Sequence, residues 1–260
     1  MPRPAPEPRR SKSLTPFYVI LGLVLLAGIA LLATQLRPGS HAAANEAVAV
    51  QLTPEQLQRV QGISLGRADA PITIYEFADF QCPHCAQFSA FIEPLIREHL
   101  VNTGKARYVF YDFPLGFKWS WLAARAGRCA NEQGKFWDYH GMVFGRQQDW
   151  AFERDPVAKF TEYAQSAGMD AGKFERCVRS EQYQREVSES SKLGQTLGVQ
   201  GTPTLFVNGR RIEPLPSSYA EFEQQVRRIA PDAFAGSPAP AAAPAAGDTA
   251  GTVTGQSTVQ

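Results

Sequence analysis

The sequence predicts an α/β domain that follows one membrane-spanning helix. Two runs rich in β-branched and aromatic residues, "APITIYEF" and "ARYVFYDFP", predict strands, and long stretches between and after them repeat apolar residues at helical steps. The third observation is a charge-free apolar run at residues 16–34. With 260 residues, the chain is long enough for one ordinary core and additional segments.

The N-terminal run "PFYVILGLVLLAGIALLAT" has the length of a membrane-spanning helix, since its roughly 18 apolar residues cross most of a hydrocarbon core of ~30 Å. Basic residues precede it at Arg3, Arg9, Arg10 and Lys12, and only Arg37 follows closely. The positive-inside rule predicts a cytoplasmic N-terminus at 1–15, a signal-anchor at 16–34 and the bulk of the chain outside the cytoplasm. A cleaved signal peptide is the alternative, but the small residues of "HAAAN" lie several positions beyond the apolar run.

Composition separates the folded domain from its flanks. Residues 35–61 are poor in large apolar side chains and predict a tether, and the Ala/Pro/Gly-rich residues 232–260 predict a disordered tail. The folded domain is therefore predicted at 62–231. A formal net charge of +1 argues against nucleic-acid binding by bulk electrostatics.

The first strand, "APITIYEF", alternates between two faces. Ile72, Ile74 and Glu76 share one face, and Thr73, Tyr75 and Phe77 share the other. Both faces are largely apolar, which predicts a central strand covered on each side, with Glu76 as the exception.

The elements after this strand follow in a simple order. A helix comes first, with one apolar stripe at Phe88, Phe91, Ile92, Leu95, Ile96 and Leu100, and Pro94 predicts a kink in it. The second strand is followed by several helices over about 118–190, separated at "ERDP" and "SAGMD". A hairpin that turns at Asn208-Gly209 and an amphipathic helix at "SYAEFEQQVRRIA" complete the domain.

Two cysteines, Cys82 and Cys85, flank Pro83 and His84 at the predicted start of the first helix. Unpaired N–H groups and the positive end of the helix dipole favour a thiolate at Cys82. His84 adds positive charge when protonated and can donate a hydrogen bond to sulfur, and Pro83 suits the first helical position. Because a stabilised thiolate is a good leaving group, the motif predicts a reactive, oxidising disulfide that Cys85 resolves.

Two structural interpretations of this motif compete with the redox one. A zinc site would need a second close pair of ligands, whereas Cys129 and Cys177 lie far apart in the sequence, so no metal is predicted. A disulfide that only staples one helical turn would constrain the chain very little.

Three blocks of the sequence resemble the DsbA family of extracytoplasmic thiol-disulfide oxidoreductases: "APITIYEFADFQCPHC", "AARAGRCANEQGKFWDYHGMVF" and "GVQGTPTLFVNG". The resemblance covers about residues 62–230 and implies a thioredoxin-like fold with an inserted helical domain. It implies that Cys82 is the nucleophile and Cys85 the resolving cysteine.

The resemblance also implies roles for five other residues. Pro203 matches a cis-proline that faces the active site, and Thr202 before it would offer its backbone to an extended substrate. Glu76 matches a buried acid that exchanges a proton with Cys85; the alternative is a solvent-exposed glutamate at a strand end. Cys129 and Cys177 match a structural disulfide; the alternative is two buried free thiols.

The sequence therefore predicts an anchored oxidase that donates disulfides to unfolded or partly folded exported proteins and needs no cofactor of its own. The resemblance implies that a quinone-linked membrane protein, of the DsbB type or the vitamin K epoxide reductase type, reoxidises it. A reductase or isomerase kept reduced by an electron donor, and a non-catalytic chaperone-like module, are the alternatives. His99 and His140 are interpreted as surface or packing residues.

Overall fold

The computed structural model describes residues 21–28 and 60–235. The chain divides into two units, Met1–Glu46 and Ala47–Gln260. In the first unit, residues 21–28 form a helix; the rest of the predicted signal-anchor, most of the tether and the tail from residue 236 lie outside the described residues. Within the described ranges, no helix combines the length and the apolar character that crossing a membrane requires.

A five-stranded mixed sheet forms the centre of the second unit. Its strands are β1 (Ile63–Leu65), β2 (Ile72–Ala78), β3 (Ala106–Asp112), β4 (Thr204–Val207) and β5 (Arg210–Arg211), in the spatial order β1-β3-β2-β4-β5. Strands β2 and β3 are parallel, and the other neighbours are antiparallel. The central position predicted for β2 is confirmed; the three-residue strand β1 was not predicted, because it is too short to show a pattern.

The helices are α1 (Pro83–Phe91), α2 (Glu93–Ile96), α3 (Ser120–Glu132), α4 (Phe136–Gly145), α5 (Gln147–Trp150), α6 (Val157–Ser166), α7 (Ala171–Ser180), α8 (Gln184–Thr196) and α9 (Tyr219–Ile229). A π-helical turn, Arg97–Val101, continues α2, and a 3-10 turn, Pro231–Phe234, follows α9. The hairpin is confirmed, with positive φ angles of 48° at Asn208 and 79° at Gly209. The predicted helical region is also confirmed, although it extends to Thr196.

Three apolar clusters hold these elements together. Helices α1, α2 and α9 cover the sheet face that carries Ile72 and Ile74, and α8 covers the face that carries Phe77. Helices α3, α4, α6 and α7 form the third cluster, which includes Cys82 and Cys85. The inserted helices therefore pack against the segment that holds the two-cysteine motif.

The predicted stripe of the first helix needs correction. Helix α1 ends at Phe91, and α2 begins at Glu93 with Pro94 in its first turn, so the predicted kink is a break between two helices. As a result Phe91 points outward and is 72 % exposed, whereas the charged residue Glu93 is buried.

The C-terminal boundary of the folded domain also lies further along the chain than predicted. Phe234, which the sequence assigns to the disordered tail, is buried in the same cluster as Phe222 and Val226. The guanidinium of Arg227 lies 4.2 Å from the centre of the Phe234 ring. The domain therefore includes the 3-10 turn.

Candidate active site

The two-cysteine motif lies where β2 gives way to α1. Cys82 has extended backbone angles, φ −77° and ψ 124°, and is the N-cap residue of α1, with Pro83 at the first helical position. The N–H of Cys82 donates to the carbonyl of Asp79, 3.0 Å away, which closes a turn between strand and helix. The sequence predicted this arrangement, because proline is tolerated where no intrahelical N–H bond is made.

The buried carboxylate of Asp79 organises the backbone around the motif. Its Oδ1 accepts from the N–H of Gln81, and its Oδ2 accepts from the N–H of Leu115 and the hydroxyl of Ser120, at 2.7–2.8 Å. Burial raises the pKa of Asp79, and these hydrogen bonds oppose that shift. Asp79 was not among the residues predicted for the site, although a short acidic side chain directly before a turn is a known turn former.

Two glutamines fasten the same loop to the inserted helices. The amide of Gln147 on α5 donates to the carbonyls of Phe80 and Cys82, at 2.8 and 3.0 Å. Gln81 donates to the carbonyl of Ala151 and accepts from the N–H of Trp119. No local sequence pattern predicts these contacts, because they join positions far apart in the chain.

The two active-site sulfurs are not joined in a disulfide in this structure and are largely shielded from solvent: Cys82 is 4 % exposed and Cys85 is fully buried. Sγ of Cys82 lies 3.3 Å from the backbone carbonyl oxygen of Thr202, to which it can donate when it carries a proton. The Thr202–Pro203 peptide bond is cis. The structure thus brings Thr202 and Pro203 beside the motif, where the resemblance put them.

The pKa of the Cys82 thiol is lowered to about 5. The largest cause is a hydrogen bond from the Cys85 thiol; burial opposes it, and the Thr202 side chain and the backbone N–H groups of Cys85 and His84 add to it. A thiolate at Cys82 is therefore the main form at neutral pH.

The pKa of the Cys85 thiol moves in the opposite direction. Burial raises it, and the hydrogen bond and charge of Cys82 and the charge of Glu76 raise it further. Two thiols on one helical turn therefore differ in chemistry: Cys82 is the anion and Cys85 holds its proton. A disulfide between two such cysteines is reactive, because one of its two sulfurs is stabilised as a thiolate when the bond is broken.

His84 is exposed at the surface of the first turn of α1. Its contribution to the Cys82 pKa comes from its backbone N–H, as one of the unpaired donors at the helix start. The hydrogen bond that the sequence analysis expected from its ring is not among the causes of the Cys82 shift.

Glu76 is buried beneath the motif, on the face of β2 that the periodicity predicts. Its Oε2 accepts from the hydroxyl of Tyr108 at 2.8 Å. Burial raises its pKa to about 8; the charges of Glu93 and Cys82 also raise it, and the Tyr108 hydrogen bond opposes them. Glu76 thus keeps its proton near neutral pH, and the alternative of a solvent-exposed glutamate is wrong.

Two further buried groups accompany Glu76, and the sequence analysis assigned neither to the site. Ligand atoms of Glu76, Glu93 and His140 all lie within 4.8 Å of one another. This spacing would suit a metal ion, but burial raises the pKa of Glu93 to about 7, and the cationic Arg97 lies 3.8 Å from its Oε1. Buried carboxyls whose pKa values are raised to about 7 and about 8, with a cation beside them, fit a metal ion poorly, so we assign no metal to this set.

Comparison with known proteins identifies the class of this site. Residues 58–228 match the sequence family described as thioredoxin. The chain belongs to the thioredoxin family. Among curated relatives, the probable disulfide bond formation protein D of Bacillus cereus is 32 % identical over 157 residues, which are 58 % of this chain and 72 % of that protein. This relative places the chain among the protein thiol-disulfide oxidoreductases of the family.

A second relative matches only in part. The Na(+)/H(+) antiporter NhaA 3 of Salinispora tropica is 34 % identical over 148 residues, which cover 56 % of this chain but only 21 % of that protein. The match therefore concerns about a fifth of the antiporter.

A solved structure supports the thioredoxin-like fold with its helical insertion. BdbD of Bacillus subtilis, in its oxidised form, superposes with a TM-score of 0.62 and 28 % identity over 71 % of this chain and 98 % of that one. The inserted helices of this thioredoxin-family chain are held by a disulfide between Cys129 on α3 and Cys177 on α7. This is the pairing that the resemblance implied.

Proposed function

We propose that the chain is an extracytoplasmic oxidase that donates a disulfide, formed between Cys82 and Cys85, to exported proteins. The observation that carries the proposal is the opposite shift of the two thiol pKa values, with Cys82 lowered to about 5 and Cys85 raised. Stabilising one thiolate favours the reduced form of the pair, so its disulfide is readily given up.

The reaction then proceeds in two exchanges. A substrate thiolate attacks Cys82 Sγ, the Cys82–Cys85 bond breaks, and Cys85 leaves with the electron pair and takes up a proton. A second substrate thiolate attacks the substrate sulfur of the mixed disulfide, and Cys82 leaves as a thiolate. Two electrons pass from the substrate dithiol to the active-site pair. The carbonyl of Thr202 and the adjoining Pro203 form the edge along which an extended substrate would lie.

Exposed apolar side chains next to the motif are consistent with a substrate that is an unfolded protein. The loop that Asp79 holds carries Leu115 and Phe117, which are 41 % and 45 % exposed. Phe152, 83 % exposed, follows Ala151, whose carbonyl accepts from Gln81. An unfolded chain could cover these groups while its cysteine reacts.

The location and the redox partner are further parts of the proposal. We expect residues 16–34 to anchor the chain and to leave the catalytic domain outside the cytoplasm, where disulfides persist. A quinone-linked membrane protein of the DsbB or vitamin K epoxide reductase type would return the pair to its oxidised state. The relatives named disulfide bond formation protein D support the disulfide-forming role from which this part of the proposal follows.

The test is disulfide transfer in vitro. The oxidised chain is mixed with a reduced, unfolded secreted protein, and substrate thiols and refolded activity are followed with time. We expect transfer from the wild type, none from Cys82→Ser, and transfer retained when Cys129 and Cys177 are both replaced by alanine.

The reduction potential of the pair decides the direction. The reduction potential of thioredoxin is about −270 mV. A potential of this pair that is higher by roughly 100 mV or more agrees with an oxidase. A potential equal to that of thioredoxin, together with faster reduction than oxidation of substrates, would contradict the proposal and favour a reductase.

A further inference from the structure

The cluster beneath the motif brings together side chains from three separate elements. Glu76 comes from β2, Glu93 is the first residue of α2, and His140 lies on α4. Their exposed fractions are 1 %, 2 % and 0 %. Three polar groups that are removed from water at one point need a common explanation, because burying each of them costs free energy.

The surroundings explain how the cluster is closed. The break between α1 and α2 turns Glu93 inward. The His140 ring is enclosed by the rings of Phe80, Phe110, Phe136, Trp137 and Phe144, whose centres lie 4.8–5.6 Å from its own. This enclosure lowers the pKa of His140 to about 3, so the ring is neutral and its contact with Glu93 is not an ion pair.

Part of the hydrogen-bonding capacity of this cluster is unused. Oε2 of Glu93 and both ring nitrogens of His140 have no hydrogen-bond partner among the described residues. Nδ1 of His140 lies 3.7 Å from Oε2 of Glu93. An added proton on Glu93 would therefore have an acceptor nearby.

The charges around the cluster balance only if a proton is present. The titratable and charged groups that face it are Cys82 and Cys85 at the start of α1, Glu76 on β2, Glu93 on α2, Arg97 on the π-helical turn, Tyr108 on β3 and His140 on α4. The Ser89 side chain on α1 also hydrogen-bonds Glu93. While Cys82 and Cys85 are joined in a disulfide and carry no charge, one cation and two carboxyls make the cluster neutral when the carboxyls hold one proton between them.

We propose that Glu93 is a positioning residue for Glu76, and that the two buried carboxyls, closed off by the neutral ring of His140, share one proton that serves Cys85. The inference rests on the proposed function, since it specifies the proton that accompanies the Cys82–Cys85 exchange. Glu93 acts through Glu76, because the charge of Glu76, and not that of Glu93, is among the causes of the raised pKa of Cys85.

The proton balance follows the two directions of the exchange. When the disulfide opens, the carboxyl pair gives its proton to the departing Cys85 sulfur, and its charge becomes one unit more negative. Like charges on two close carboxylates make this proton loss costly, so the pair regains one proton from solvent, and Glu76 is protonated again in the reduced chain. When the cysteines are reoxidised, the pair releases that proton to solvent and takes up the proton of Cys85. The Cys85 thiolate then attacks Cys82 Sγ in the mixed disulfide, and the partner's thiolate leaves.

The first experiment measures the pH dependence of the step that needs Cys85. The Cys82 mixed disulfide with glutathione is prepared in the wild type, in Glu93→Gln and in Glu223→Gln, a control at another buried carboxyl, and its resolution by Cys85 is timed across pH. We expect the midpoint of the rate profile to fall by about one pH unit in Glu93→Gln and to stay unchanged in Glu223→Gln. The thiolate titration of Cys82 should not move in either variant.

An unchanged midpoint in a folded Glu93→Gln would overturn the inference while leaving disulfide donation intact, and loss of transfer in the wild type would overturn the proposed function instead. If Glu93→Gln does not fold, the wild-type chain labelled at the glutamate carboxyl carbons is titrated by NMR. Two resonances that each titrate in two coupled steps support the shared proton. Independent single steps, or stoichiometric zinc in the purified wild type, contradict it.

Discussion

The Cys82 sulfur lies 3.3 Å from the backbone carbonyl oxygen of Thr202, although 120 positions separate the two residues in the chain. The contact joins the start of α1, which follows β2 in the chain, to the loop before β4, the strand that pairs with β2 in the sheet. It places the Cys82 sulfur beside the backbone of the half-buried Thr202, while the Cys85 residue is fully buried. Under the proposed function, Cys82 is therefore the sulfur that a substrate thiolate reaches first.

The lowered pKa of Cys82 depends first on its neighbour Cys85, and this dependence can be measured. Because a hydrogen bond from the Cys85 thiol is its largest cause, we expect Cys85→Ala to raise the Cys82 pKa from about 5 by at least one unit. Cys85→Ser keeps a donor at the same position and should shift it less. The measurement is the thiolate absorbance of the reduced chain against pH.

The same titration tests the redox assignment as a whole. If the Cys82 thiol of the wild type titrated with a midpoint near that of a free thiol, about 8.5, the redox assignment would lose its physical basis. If Cys85→Ala and Cys85→Ser shifted the midpoint equally, the backbone N–H groups of α1 would be the main cause instead.

Glu76 should make the folded chain less stable as the pH rises. Its pKa is about 8 in the folded chain, against an ordinary value of 4.5, so between these pH values the folded state holds a proton that the unfolded state has lost. The stability that this proton provides is complete below about pH 4.5 and is lost as the pH rises towards about 8. Replacing Glu76 by glutamine should remove this loss, which is on the order of a few kcal/mol.

Urea unfolding of the reduced wild type and of Glu76→Gln at several pH values checks this expectation. Cys82 and His140, whose folded pKa values are lowered, act with the opposite sign but occur in both proteins, so the difference between the two proteins reports Glu76. A difference that does not change between about pH 5 and about pH 8 would mean that Glu76 is ionised in the folded chain.

The Cys129–Cys177 disulfide should stabilise the domain without taking part in the exchange. It closes a loop over a sequence separation of 48 residues between α3 and α7. The chain-entropy relation gives about 4 kcal/mol for a loop of this length. We expect the double alanine variant to unfold with a free energy lower by up to that amount, while the Cys82 thiolate titration is unchanged.

Denaturant unfolding of this double variant and thiol titration on the same sample separate the two effects. If the Cys82 titration moved by more than a few tenths of a pH unit, the inserted helices would be coupled to the motif more closely than their packing implies.

Local sequence patterns predicted the parts of the site that are local. Cys82, Pro83 and Cys85 are adjacent in the chain, and the two-residue period of β2 placed Glu76 on the correct face. Glu93 could not be found this way, because its burial results from the break at Pro94 and from packing against α4. His140 did carry a signal: it shares a helical face with Phe136, Val143 and Phe144, which predicts burial.

Gly194 on α8 should not tolerate alanine, because α8 lies directly on the sheet. A Cβ atom there would lie 2.5 Å from Cδ2 of Phe113 and 3.0 Å from Cδ1 of Phe77, two buried rings packed edge to face. The steric cost of about 1–3 kcal/mol opposes a gain in helix propensity of about 1 kcal/mol. Because the added Cβ meets two buried rings, we expect the steric cost to dominate and Gly194→Ala to lower the free energy of unfolding by up to about 2 kcal/mol.

Gly172 on α7 provides the matched control for this substitution. Its Cβ would approach only side-chain atoms at ordinary contact distances, Nη1 of Arg176 at 3.4 Å and Oδ1 of Asp170 at 3.5 Å, so Gly172→Ala should leave the stability unchanged or raise it by up to about 1 kcal/mol. Both variants are compared with the wild type by urea unfolding. Since Phe77 follows Glu76 on β2, a tolerated alanine at Gly194 would mean that the rings can shift, and that the strand beneath the active site is less rigidly packed than the contacts of α8 imply.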